Sequence, residues 1–204
     1  MELAKHKRDW AFGYQDETWW SRYAHPDLHS WLEDGQFLKL VEQAKDSKDI
    51  EPKAIACYGL AVHWYKDLDV KHAEVWLRFV EGNPCGNLTI QYLEWLLEKT
   101  QQVGKKVLVM IWDHATWHKS AAVRTWIRDH NNAVKKAHNG VRLLPFLLPK
   151  KSPWLNPIEP MWIHAKRKIV EPDKKLAKTE LVRRVSAVFD NPILPFLSLS
   201  NNVS

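Results

Sequence analysis

Three acidic residues, Asp16, Asp113 and Glu159, stand where the sequence pattern places the ends of structural elements. Asp16 follows the aromatic run WAFGYQ (10–15), Asp113 follows the apolar run VLVMIW (107–112), and Glu159 lies within KKSPWLNPIEPMW (150–162). In sheets with parallel neighbours, functional groups gather just beyond strand C-termini. If the strands ahead of Asp16 and Asp113 lie side by side, the two acids emerge together. Carboxylates crowded in this way raise one another's pKa unless a cation separates them. Hard divalent ions with oxygen ligands, Mg²⁺ above all, relieve that cost, and two of them roughly 3.5–4 Å apart form the usual clamp for in-line attack on a phosphodiester.

Glu159 is held by a stiff segment. Pro145, Pro149, Pro153 and Pro157 recur every fourth residue, with Pro160 after them, and each fixes φ and restricts the residue before it. Asn156 suits a helix N-cap, Pro157 the first helical position and Glu159 the first turn. A ligand that starts with little freedom loses less entropy on binding. Each acid also has an ordinary structural reading. Asn156 and Glu159 have the spacing of an N-cap and a reciprocating third residue, Asp113 can cap the helix that follows it, and Asp16 can be a turn acid. Periodicity does not decide between these readings. His114 and His118 flank Asp113 at a four-residue spacing, but no Glu lies between them in the HExxH sense and no second His or Cys pair supports zinc.

The elements that must position these residues change character along the chain. Strands are expected at 10–15, 36–41, 54–65 and 74–80, the second following the turn signal Asp34-Gly35, as an antiparallel meander. From Asn87 the period becomes helical, through Ile90, Leu93, Leu96 and Leu97, and Gly104 closes the segment. Residues 107–112 form a continuous apolar run, the pattern of a strand buried on both faces. Helices are expected at 119–131, 157–169 and 179–189, with a strand at 141–148 that Pro145 confines to an edge or bulge. Strands first and alternating helix and strand afterwards argue for an α/β fold, a mixed sheet with helices on its faces. Residues from Asn191 are expected to form a loosely ordered tail.

Composition narrows the class. At 204 residues and 45% apolar content, one domain with a sizeable core is expected. No segment approaches the roughly 20 apolar residues of a membrane span, and the N-terminus lacks the apolar block of a secretory signal. Cys57 and Cys85 form neither a disulfide framework nor a paired zinc motif, so both read as thiols of a reducing, cytoplasmic compartment. Residues 135–184 hold 13 Lys and Arg against 4 Asp and Glu, leaving 17 against 20 for the remainder. The net charge of +6 therefore belongs to the C-terminal third, which suits a polyanion or, equally, a solvated helix face. Most of the twelve tryptophans read as core or interface residues.

WDHATWHKS (112–120) and LLPKKSPWLNPIEPMWIHAKRKIV (147–170) resemble the second and third catalytic motifs of DDE transposases, in the mariner-like group of bacterial insertion-sequence elements. GYQDETWW (13–20) is similar to their first motif, an Asp-Glu pair at the end of strand one. The resemblance spans about residues 10–190. It implies a ribonuclease-H-like fold, with residues 1–190 as the catalytic domain and 191–204 as a tail. By the same resemblance, Asp16, Asp113 and Glu159 form a triad holding two Mg²⁺ or Mn²⁺ ions. These ions activate water to cut the ends of a mobile element, whose freed 3′-hydroxyl then attacks target DNA. Lys119, Lys150, Lys151, Lys166, Arg167 and Lys168 would contact DNA phosphates.

Two departures stand out. Glu159 lies 46 positions after Asp113, longer than is usual for the group, and the extra length falls around NNAVKKAHNG (131–140) as an extended helix or loop. Relatives carry N-terminal helix-turn-helix modules, whereas here the first strand begins by residue 10. A catalytic half is thus expected, nucleoid-associated and paired as a homodimer or with a separate helix-turn-helix chain. The alternative is a non-catalytic DNA-binding or assembly remnant.

Overall fold

The computed structural model describes residues 8–23, 29–31, 37–39, 48–63, 73–150, 152–169 and 175–199. β1 (Trp10–Ser21) lies at the centre of a five-stranded sheet, between β4 (Ala54–His63) and β6 (Val107–Trp112). β5 (Glu74–Val80) and β7 (Arg142–Leu147) form the edges, giving the order β5-β4-β1-β6-β7. β1, β4 and β5 pair antiparallel as a meander, while β1, β6 and β7 pair in parallel. Among the described residues, the short strands β2 (His29–Trp31) and β3 (Phe37–Lys39) pair with each other as a separate two-stranded sheet. The segment expected as a strand at 36–41 is thus β3 and stands outside the main sheet, while its turn signal Asp34-Gly35 lies outside the described residues.

Strand alternation divides the molecule into two layers. On one face Ala11, Tyr58, Leu60, Leu108, Met110 and Trp112 meet the buried stripe of α1 (Gly86–Gln102) and Val123 and Ile127 of α2 (Ala121–Ala137). On the other face Trp20, Ile55, Cys57 and Ala61 meet α3 (Ile158–Ile169) and α4 (Lys178–Val188). Helices on both faces of a mixed sheet give the α/β architecture expected from the order of elements and the ribonuclease-H-like fold that the resemblance implied.

β1 is longer than expected. Asp16 and Glu17 sit within the strand, paired with Gly59 and Tyr58 of β4, rather than at a polar tip beyond it. The two acids interrupt the apolar pattern in the sequence, but each projects from a different face, so neither breaks the ladder. α2 also extends past the expected end at residue 131, absorbing most of the extra length before Glu159. Its second half is mainly exposed, yet Asn131 donates to Leu143 O at 2.8 Å and accepts from Leu143 N at 2.9 Å. This satisfies main-chain groups of β7, whose Pro145 has no N–H to give and which lies at the sheet edge as its proline demands. Gly104, two residues past α1, has φ +74°, the left-handed conformation in which glycine closes a helix.

Residues 191–199 pack against β5 rather than hanging loose. Leu197 is buried and exchanges backbone hydrogen bonds with Phe79 O and Glu81 N. The Asn191 side chain accepts from Leu77 N and donates to Val75 O. Among the described residues no helix is long and apolar enough to cross a membrane.

Candidate active site

Asp16 lies on the α3 face of β1, opposite Gly59. Because Gly59 has no side chain, the Trp162 ring settles directly over the strand, where a methyl group on Gly59 would lie 2.6 Å from Trp162 Cζ2. From there Trp162 Nε1 donates to Asp16 Oδ2 at 3.0 Å. Burial first, and then the charge of Glu17, raise the Asp16 carboxyl to about 7, with Glu159 adding to the rise and the Trp162 hydrogen bond opposing it.

Asp113 follows the last residue of β6. The last parallel pair is Tyr14 with Ile111, and Asp16 and Asp113 each stand two residues further along. Asp113 is half exposed, and the hydrogen bond from His118 holds its carboxyl below the usual range, against burial and helped by the Ala115 amide. Glu159 occupies the first turn of α3, where burial and the charge of Asp113 raise its pKa. Asp113 and Glu159 line one cavity of about 590 Å³ together with His114, Lys119, Lys150 and Asn156. Asp16 does not line this cavity; it sits beneath Trp162, within electrostatic reach of Glu159. A larger cavity of about 840 Å³ between α1 and α2 contains none of the three acids.

Asn156 does not cap α3 as the spacing suggested. Its buried side chain donates from Nδ2 to Gln15 O at 3.5 Å, and its Oδ1 has no partner among the described residues. It therefore tethers the proline-rich loop to β1. Glu159 is left without a capping task, and no hydrogen bond or ion pair among the described residues occupies its carboxylate.

A fourth acid, which the spacing arguments passed over, completes the surroundings. Glu17 projects from the opposite face of β1, and its Oε1 accepts from Gln15 Nε2 at 3.0 Å, Trp117 Nε1 at 3.1 Å and His118 Nε2 at 2.9 Å. The other ring nitrogen of His118, Nδ1, lies 2.9 Å from Asp113 Oδ1. Among the described residues, one ligand atom each from Glu17, Asp113 and His118 lies within 4.8 Å of the others; Asp16 and Glu159 are not part of that group. The only sequence signals for this cluster were the acid next to Asp16 and the histidine five residues after Asp113.

The sequence model of the DDE superfamily endonuclease family matches residues 14–181. The chain belongs to this family. Among solved structures it is similar to the Mos1 transposase paired-end complex with left transposon end, with a TM-score of 0.60 at 14% identity over 94% of this chain and 51% of that one. It also matches the Mos1 mariner paired-end complex with Mn, with a TM-score of 0.56 at 14% identity over 89% and 48% of the two chains. The Mos1 strand transfer complex gives a TM-score of 0.53 at 13% identity over 94% and 51%. The chain thus spans about half the length of these transposases, and identity at this level speaks for a shared fold. No curated protein matches the sequence.

In this DDE superfamily member the expected phosphate-binding cations fall into different settings. Lys119 and Lys150 line the cavity beside Asp113 and Glu159. Arg167 and Lys168 are exposed near the end of α3. Lys166 instead folds back, its Nζ 5.8 Å from the Trp20 ring centroid; burial lowers its pKa, while Cys57 and Asp16 oppose that shift. Lys151 lies outside the described residues. Trp154, on a 3-10 turn at Pro153–Leu155 between Lys150 and Glu159, is 75% exposed.

Proposed function

We propose that this chain is the catalytic domain of a DNA transposase, a divalent-metal-dependent nuclease and strand transferase in which Asp16, Asp113 and Glu159 hold the metal. The observation that carries this reading is that Asp113 and Glu159 line one cavity. Burial first and then Asp113 raise the pKa of Glu159, and burial, Glu17 and to a lesser degree Glu159 raise that of Asp16, a cost that a bound cation would offset. The donor set suits a hard ion. It consists of carboxylate oxygens, with the unpartnered Asn156 Oδ1 in the same cavity wall, and contains no thiol. Mg²⁺ or Mn²⁺, two ions in the full reaction, would supply the charge that activates water or a 3′-hydroxyl and stabilises the attacked phosphate.

The chain's own residues do the rest. The proline-rich loop, tethered through Asn156, fixes where α3 starts and hence where Glu159 points. Trp162 keeps Asp16 ionisable by donating to it. Lys119 and Lys150 draw the phosphodiester toward the cavity, and exposed Arg167 and Lys168 extend the basic track. Exposed Trp154 offers a stacking surface for a base beside the scissile phosphate. Residues 1–190 act as the catalytic unit, with 191–204 as its C-terminal extension. DNA is the partner, engaged by a cytoplasmic, nucleoid-associated homodimer or together with a helix-turn-helix chain that reads the element ends.

The test is nicking and strand transfer of DNA by the purified chain in Mg²⁺ or Mn²⁺. Activity that needs the metal and vanishes in Asp113→Ala is expected; an Asp113→Ala protein as active as the parent would overturn the assignment. One feature favours a non-catalytic DNA-binding or assembly remnant, namely that Asp16 lies outside the cavity that Asp113 and Glu159 line. Salt-sensitive DNA binding with no Mn²⁺ uptake by calorimetry is the outcome that reading requires.

A further inference from the structure

The Glu17, His118 and Asp113 group has the composition of a metal site, but its hydrogen bonds give it a different task. Asp113 Oδ1 already accepts from Ala115 N at 2.8 Å and lies 2.9 Å from His118 Nδ1. Glu17 Oε1 already takes three donors. Each ring nitrogen of His118 therefore faces a carboxylate oxygen at hydrogen-bond distance. The ring is also closely packed. It is 2% exposed, stacks on Trp112 at 4.4 Å between centroids with 12° between planes, and meets the edge of Trp117 at 6.0 Å. Glu17 itself is held at three points from β1 and from the loop after β6, and its side chain is 4% exposed.

We propose that His118 is a positioning residue, anchored by Glu17, that occupies Oδ1 of Asp113 and leaves only Oδ2 to reach a divalent cation. The inference rests on the metal-dependent reading above and refines it: Asp113 binds through one oxygen, and its direction is set from the far face of the sheet. Glu17 sits across β1 from Asp16, so the strand that carries one acid of the triad also supports the second. Partners of this kind, one step removed from the metal, typically change metal affinity by 10–100-fold when removed.

Calorimetry with Mn²⁺ on the full chain, combined with pulsed electron paramagnetic resonance of the bound ion, tests this. His118→Ala is expected to weaken Mn²⁺ binding about 10- to 100-fold with DNA affinity retained. His118→Asn, whose amide nitrogen can stand in for Nδ1, is expected to recover part of that loss. Bound Mn²⁺ is expected to show no directly coordinated imidazole nitrogen. Where His118→Ala does not fold, Glu17→Gln carries the test: it keeps the shape, weakens the anchor and is expected to lower Mn²⁺ affinity in the same direction. Wild-type affinity in a folded His118→Ala protein, or in Glu17→Gln where His118→Ala does not fold, overturns the proposal. So does an imidazole nitrogen coupling that disappears in His118→Ala, since His118 would then be a ligand. Failure of the parent chain to bind Mn²⁺ at all is a distinct result and removes the metal-dependent reading itself.

Discussion

Trp162 Nε1 donates to Asp16 Oδ2 at 3.0 Å, and the same ring fills the space above Gly59, the partner of Asp16 on β4. One indole thus serves both the core and a proposed metal ligand. Gly59→Ala places a methyl group against that ring and is expected to cost about 1–3 kcal/mol of stability through overpacking. It is also expected to weaken Mn²⁺ binding, because relief requires α3 to move with Trp162. Urea denaturation and Mn²⁺ calorimetry on the same protein check both effects; unchanged affinity would separate the core from the site.

Trp162→Phe keeps most of the ring and removes the donor. The lost hydrogen bond favoured the ionised carboxylate, so the Asp16 pKa is expected to rise further and Mn²⁺ affinity at pH 7 to fall. Raising the pH should recover the affinity. An affinity deficit that does not narrow at higher pH would show that the indole acts by shape alone.

The metal-free protein is expected to lose stability as pH rises, in two windows. Asp16 moves from 3.8 to about 7 on folding, so the native state holds its proton more tightly and stability falls between those values. His118 moves from 6.5 to about 9: burial opposes the charged ring, but Asp113 and Glu17 together outweigh it. Its contribution is complete below 6.5 and is lost as pH rises through about 9. Urea unfolding in EDTA across pH 4–10 measures both. Asp16→Asn should flatten the lower window and His118→Asn the upper one. With Asp16 as a proposed ligand, Mn²⁺ would compete with its proton, and metal affinity should rise with pH up to about 7 and level off above it.

Arg22, 2% exposed, ties the end of β1 to two loops. It pairs with Asp49 at 2.9 Å and Glu51 at 2.7 Å and donates to Leu176 O at 2.8 Å. Arg22→Met is expected to destabilise the fold by about 3–5 kcal/mol by stranding buried acceptors. Thermal unfolding measures this. Mn²⁺ affinity of the folded fraction should be unaffected, since no triad residue touches Arg22.

On the proposed DNA face, Lys150→Ala and Trp154→Ala should differ in kind. The lysine variant should flatten the dependence of log K on log salt by about one unit. The tryptophan variant should lose about 1–3 kcal/mol of binding with the salt slope intact. Fluorescence anisotropy with short duplexes and single strands at several salt concentrations distinguishes them.

Much of this architecture is readable from local pattern. The buried run 107–112, the cap at Gly104 and the edge character imposed by Pro145 all depend on neighbours in the chain, and so did the three acids at apparent element ends. What sequence missed depended on contacts across space. β1 appeared to stop at residue 15 because Asp16 and Glu17 look like a polar tip, and only the pairing with Gly59 and Tyr58 shows that the strand continues. Asn156 had the spacing of a cap, but its side chain goes to Gln15, 141 residues away. The bond between Glu17 and His118 spans 101 residues, and no periodicity registers it.

Asp16 and Glu17 are chain neighbours that serve opposite faces of one sheet, and this limits how β1 can change. A single inserted or deleted residue between Trp10 and Glu17 would exchange the two carboxylates, sending the proposed metal ligand toward α1 and Glu17 toward α3. Both hydrogen-bonded ladders would have to shift with it, so the strand has no neighbouring alignment into which it can relax. Substitutions along β1 are therefore easier to accommodate than any alteration of its length.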